Sequence, residues 1–337
     1  MPVAGGLVPP TGAMYTELQA ITRRAVVPRV IVQFGQATPY LSASLSNAQT
    51  AAGGISSVTV PVQGASMTTA QMSDFGGGFT APTEQNGLQN AEYNLKVALV
   101  PISYNGMEGL LQDDAAIVPR IEVKMNDAGN GLATMLASQV WTNATNGTND
   151  LDGLPLIVAT GRTYGNINSA AAGNTFWDGN TMATAGGVDP TRQRMLVAIM
   201  SATNANFGEK PTMGFCSPAT WALLAQDFQG QEQYVITPER SFDQVAMGAR
   251  SGFDALKVNG VPIYIEPGCT NGDVWFIHTR YTSFFVHRMA SFIFSGFAST
   301  IPNNVIGYTG VVIAVLEHVC VKPRAVTFQT GYNFSTL

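Results

Sequence analysis

Charge is what this chain has least of. Asp, Glu, Lys and Arg make up 12% of its 337 residues, about half of the roughly 25% usual in soluble globular proteins. Between Val30 and Leu95 there is no Lys, Arg or His, and Asp74, Glu84 and Glu92 are the only acidic residues. A net charge of −5 excludes bulk nucleic-acid binding through a basic surface. Long apolar runs are missing too. Val97–Ile102 and Val311–Leu316 fall far short of the ~18 residues a membrane-spanning helix needs, so no membrane partner is expected. No basic residue precedes Arg23 and no apolar segment leads the chain, so no secretory signal is expected. Cysteine is sparse: Cys216, Cys269 and Cys320 are odd in number and far apart, which suits a reducing interior and offers no disulfide framework. No nucleophile elbow, zincin motif, P-loop or dinucleotide fingerprint occurs. That leaves no catalytic residue, no cofactor and no metal to nominate.

Neutral polar residues and glycine stand where charge is missing. A free surface stays soluble through interspersed charge; a long, neutral, hydrogen-bonding arm suits a surface that will be covered. Other copies of the chain are the simplest cover. Val58, Val60 and Val62 alternate, predicting a strand over about Ile55–Gln63. A tip follows at Phe75-Gly76-Gly77-Gly78-Phe79, and a return strand over about Ala91–Tyr104. An isolated two-stranded ribbon is marginal in water, so this hairpin is expected to need a neighbour.

Elsewhere the pattern is mixed. Residues 13–35 read as a helix leading into an extended arm that carries Arg23, Arg24 and Arg29, with Pro28 and Pro39 limiting any helix. Asp113 and Asp114 stand before Ala115–Trp141, placed to cap a helix and complement its dipole. Within it Ile121, Met125, Leu132, Leu136 and Val140 recur at helical spacing. Asn143–Asp150 is a polar linker and the expected domain boundary. Helices are predicted over Val188–Asn204 and Ser217–Gln226, and strands at Leu256–Val258, Val261–Glu266, Val274–His278, Ser291–Phe297 and Val311–Phe328. The class is α+β.

In this order the elements resemble the major capsid proteins of tailed bacteriophages, the Hong Kong 97 coat fold. The motifs are Tyr15-Thr-Glu-Leu-Gln with Thr22-Arg-Arg and Pro39-Tyr-Leu, then Val100-Pro-Ile-Ser with Leu110-Leu-Gln-Asp-Asp. Asp152-Gly-Leu-Pro-Leu-Ile, Phe215-Cys-Ser-Pro-Ala-Thr-Trp, Asn259-Gly-Val-Pro-Ile and Glu317-His-Val-Cys-Val-Lys-Pro-Arg-Ala continue it. The resemblance implies an N-arm (1–38), a first part of the peripheral (P) domain (39–52), and an extended loop, the E-loop (53–92). It further implies the P domain with its spine helix (93–148), an axial (A) domain (149–290) and C-terminal P-domain strands (291–337). It implies assembly into hexamers and pentamers of an icosahedral shell around packaged double-stranded DNA, enclosed but not specifically bound. Scaffold, portal and cement proteins would be the further partners, and the location a virion assembled in a bacterial cytoplasm. A cellular encapsulin-like compartment is the alternative within the fold, and a β-rich enzyme or glycan binder the alternative outside it.

Blander readings compete at each conspicuous residue. His278, His287 and His318 with Cys269 and Cys320 match no short ligand motif, so buried or exposed structural side chains are expected rather than zinc. Asp113 and Asp114 are explained by capping before acid–base work. Gly76–Gly78 lack the Lys-Ser/Thr of a phosphate cradle and read as a hairpin tip. Phe75, Gly76, Gly77, Gly78, Phe79, Arg23, Arg24, Arg29, Asp113 and Asp114 are therefore expected at inter-subunit contacts. DNA contact competes for the arginines, but three charges on an acidic chain attract it weakly; pairing with acidic residues of another subunit, such as Glu108, Asp113, Asp114 or Glu122, is the expectation. Some members of the family it resembles weld their shells through an isopeptide bond between a lysine on the extended loop and an asparagine of a neighbour; here the first lysine is Lys96, beyond that loop, so non-covalent shells are expected.

Overall fold

The computed structural model describes residues 38–64, 72–78, 87–105, 114–145, 147, 149–229, 255–299 and 307–333. The predicted arm helix over 13–35 lies outside them. Pro39 opens a helix rather than limiting one: α1 (Pro39–Ser46) has proline in its first turn, where the missing N–H would have no partner anyway. Strands β1 (Gln49–Ala51), β2 (Ser57–Gln63), β3 (Leu88–Asn94) and β4 (Lys96–Asn105) follow. The predicted return strand is thus two strands. β3 pairs β2 antiparallel, and after Leu95 the chain crosses to another sheet as β4.

Helix α2 (Asp114–Thr142) matches its prediction within a residue at each end. Met125, Leu132, Leu136 and Val140 are buried along one stripe, with Ala133, Ala137 and Trp141 beside them. A link with Leu151 and Asp152 leads to α3 (Leu154–Val158). Gly153 is required there, because a Cβ would meet the carbonyl oxygens of Gln139 and Asn143 at the end of α2. Then come β5 (Thr163–Tyr164), β6 (Ile167–Asn168), β7 (Asn180–Val188), α4 (Arg192–Ala205), β8 (Met213–Cys216) and α5 (Pro218–Gln229). The helix predicted from Val188 starts four residues later. Thr191 is its N-cap, accepting from the Arg194 N–H at 3.4 Å, and the Gly-rich stretch before it is strand. The remaining strands are β9 (Ala255–Val258), β10 (Val261–Ile265), β11 (Val274–Ile277), β12 (Thr282–His287), β13 (Ile293–Phe294), β14 (Ala298–Ser299), β15 (Gly307–Cys320) and β16 (Val326–Tyr332).

Among the described residues two six-stranded sheets form the main framework. The first is built around β15, with β4 along one side and β14, β13 and β12 in turn along the other; β1 pairs β12. Helix α2 packs along β4. The second runs β7-β16-β11-β8-β10-β9, with α4 and α5 on one face through Met195, Ala198, Ile199 and Leu224. The larger core joins α1, α2, α3 and both sheets, and includes Tyr40, Leu136, Trp141, Phe215, Trp275, Phe284 and Leu316. Sheet membership departs from the expected division at residue 291. The first sheet already takes β12, and β16 leaves it for the second sheet. A 3-10 turn at Pro323–Ala325 redirects the chain between β15 and β16.

Candidate assembly surfaces and the buried polar cluster

The neutral hairpin has a docked base. Ala91 and Tyr93 of β3 are buried, and Val58, Val60 and Val62 pack partly buried against the core. Tyr93 donates to the Cys320 carbonyl at 3.2 Å, and its ring meets that of Tyr164 at 5.3 Å, which stacks in turn on Trp177. The Glu92 N–H donates to the Gly165 carbonyl at 3.0 Å, and Gln89 donates to Asn174 at 2.7 Å. The neighbour expected of this ribbon is thus supplied, at its base, by the chain's own segment from Tyr164 to Trp177.

Among the described residues the tip has no such support. Phe75 and Met72 are fully exposed. A tight turn joins the Gly77 N–H to the Asp74 carbonyl at 2.8 Å, and Gly76 has φ +94°, a conformation that favours glycine. Gly78 is exposed beside it. A large apolar ring held out on a neutral arm suits insertion into another surface. Phe79, Arg23, Arg24, Arg29 and Asp113 lie outside the described residues, and Asp114 is the first residue of α2.

Two further apolar surfaces escaped the sequence reading. On the outer face of α4, Leu196, Val197 and Met200 are exposed, with Phe207 just beyond its end. Along β4, Val97 and Leu99 are exposed, and among the described residues no strand pairs the far side of β4. The alternation of β4 was legible. Which face would be covered depends on its place in the sheet.

Beneath these surfaces lies a cluster of buried ionisable groups: Tyr40, Lys96, Asp152, Glu266, Glu317 and His318. His318 Nδ1 donates to the Asp152 carbonyl at 2.8 Å, which makes Nε2 the acceptor for the Tyr40 hydroxyl at 2.6 Å. Burial pushes His318 down to about 4, so the ring is neutral. Glu266 accepts from the Tyr40 N–H at 3.2 Å, and burial pushes it up to about 7. Lys96 Nζ lies 3.1 Å from Glu317 Oε2 and 3.8 Å from Asp152 Oδ1. The signal for this cluster was in the sequence, since Glu317 and His318 interrupt an apolar strand and Lys96 opens one. Cys216, Cys269 and Cys320 are buried free thiols, and among the described residues no group of His, Cys, Asp and Glu is arranged to hold a metal.

No protein-family model and no curated protein matches the chain. Solved structures do. The cyanophage A-1(L) capsid subunit superposes with a TM-score of 0.66 at 10% identity, over 88% of this chain and 93% of that one. The subunit of a native GTA particle capsid gives 0.58 at 13% identity, over 87% and 91%. The encapsulin of the holo-SrpI complex from Synechococcus elongatus gives 0.51 at 10% identity, over 88% and 89%. The chain has the α+β Hong Kong 97-type coat fold seen in tailed-phage capsids.

Proposed function

We propose that this chain is the major capsid protein of a tailed bacteriophage. It would assemble as hexamers and pentamers into a closed icosahedral shell around double-stranded DNA that it encloses without reading. The observation that carries this is the coat fold shared over 88% of the chain with a phage capsid subunit. The exposed apolar tip and the bare faces of α4 and β4 support it, because each is a surface that assembly would cover. In this reading the first sheet with α2 forms the peripheral domain, the second sheet with α4 and α5 the axial domain, and β2–β3 the extended loop. No turnover chemistry is assigned. Scaffold and portal proteins would direct closure, cement proteins could add to the outside, and the location is the virion, assembled in a bacterial cytoplasm. Among the described residues no helix is long and apolar enough to cross a membrane.

Sedimentation of the expressed chain tests this: particles of many subunits are expected, and a soluble monomer at all concentrations would contradict it. The encapsulin likeness favours a second reading, a cellular compartment in the same fold. Contents decide between the two. Particles from the native source should hold double-stranded DNA; a protein cargo in its place would establish the compartment.

A further inference from the structure

Lys96, Asp152 and Glu317 come from three elements: the first residue of β4, the link between α2 and α3, and the interior of β15. Lys96 pairs with Leu316 at the end of the β4–β15 ladder, one residue short of Glu317. The three side chains are 8%, 6% and 0% exposed. Glu317 is held through Oε1, which accepts from the Asp152 N–H at 2.8 Å and the His318 N–H at 3.1 Å. Lys96 lies nearer Glu317, whose carboxylate its charge and hydrogen bond favour, than Asp152. One amine therefore faces two carboxyl groups in a water-poor pocket, and it stands beyond hydrogen-bond reach of the Asp152 oxygen.

Such a pocket keeps a proton. Burial, and then the charge of Asp152, push Glu317 up to about 8, while burial raises Asp152 to about 6. Desolvation penalises both members of an ammonium–carboxylate pair. A carboxyl group that keeps its proton is an acid placed beside the amine, and an amine that gives its own proton to such a pocket is a nucleophile.

We propose that Lys96 and Asp152 condense into an amide bond within one chain, with Glu317 as the proton shuttle. The Nζ lone pair attacks Cγ of the protonated Asp152. A new N–C bond forms and the carbonyl electron pair moves onto oxygen, which takes the Glu317 proton while the surplus Nζ proton passes to Glu317. The C–O bond to one hydroxyl then breaks. That oxygen leaves as water with the proton from Glu317, and the other hydroxyl returns its proton to Glu317. Amine plus acid becomes amide plus water, with no redox change and no co-reactant. Holding the groups together supplies the large effective concentration of an intramolecular reaction, and the product replaces two buried charges with a neutral amide. This bond joins β4 to the α2–α3 link of the same subunit. It is a self-modification, once per chain, distinct from a weld between subunits, and it leaves the denatured subunit a monomer.

Intact-mass spectrometry of the denatured full chain, purified after folding, tests it. The expected mass is one water below that of the sequence. Proteolysis should release a branched peptide joining the Lys96 segment to the Asp152 segment. Lys96→Arg should restore the full mass, and Asp152→Asn should condense with loss of ammonia in place of water. Glu317→Gln keeps the size of the side chain and should slow the reaction by about 100-fold, in the range of a positioned acid–base group. A wild-type chain at full sequence mass overturns the proposal whatever the variants do. So does a branch from Lys96 to any residue other than Asp152, and a Glu317→Gln chain that condenses at the wild-type rate removes the shuttle.

Discussion

His318 is the hinge of the buried network at the scale of single residues. It holds the Tyr40 hydroxyl on one nitrogen and the Asp152 carbonyl on the other. His318→Phe keeps the ring and strands both partners, each at about 1–3 kcal/mol. We expect a loss of roughly 2–4 kcal/mol, read as a lower urea midpoint. Glu266 gives a test in pH. Its carboxyl is raised from 4.5 to about 7 in the fold, so the folded chain holds a proton that the unfolded chain has released. Its contribution is complete below 4.5 and is lost as pH rises through about 7. His318 acts in the opposite sense. Lowered from 6.5 to about 4, it contributes above 6.5 and loses that contribution as pH falls toward 4. Glu266→Gln should remove its own share of the slope and leave those of Glu317, Asp152 and His318, a difference on the order of 3 kcal/mol between the ends of that window. An unchanged profile in urea melts across that range would refute the assignment. Glu317, His318 and Lys96 are ionisable residues set in apolar strands, a signal the sequence carries. That they converge on Asp152 was not legible, because the meeting depends on which strands become neighbours.

Among elements, the neutral hairpin was legible and its anchoring was not. Valine alternation and a glycine tip are local signals. The contact of Tyr93 with Tyr164 and Cys320 joins segments far apart in sequence. β7 was hidden for a different reason. Ala183, Thr184, Ala185, Gly186 and Gly187 carry no apolar alternation; β7 is held as strand by pairing of Asn180–Ala183 and of Val188 with β16, across an irregularity that takes up the residues between. Deleting residues 66–83 removes the tip and leaves β2 and β3. The subunit should stay folded and soluble and fail to close shells, and normal closed particles would count against the hairpin as an assembly arm. On α4, Val197→Glu with Met200→Glu alters exposed positions only. The isolated subunit should keep its melting temperature within the scatter of surface substitutions, about ±0.5 kcal/mol, while particle yield in sedimentation falls sharply. Unaffected yield would leave that face outside any interface.

For the whole molecule, the order of elements revealed more than any motif. The long helix, the hairpin before it and the strand-rich end were all legible in outline. The division of the end was not: β15 and β16 look alike in sequence, and only the turn at Pro323 sends the second into the other sheet. The same scale governs how subunits hold together. With no lysine from Ile55 to Leu95, particles boiled in detergent should give a single band near the 35.7 kDa monomer. A ladder that survives reduction would overturn non-covalent assembly. The most direct measurement is an electron-microscopy reconstruction of the purified particle. The account predicts a closed icosahedral shell of hexamers and pentamers, in which a neighbour covers residues 72–78 and each subunit buries more than ~2,000 Å², the scale of large obligate interfaces. A monomer in solution, or a particle whose hairpin tips stand bare, would contradict it.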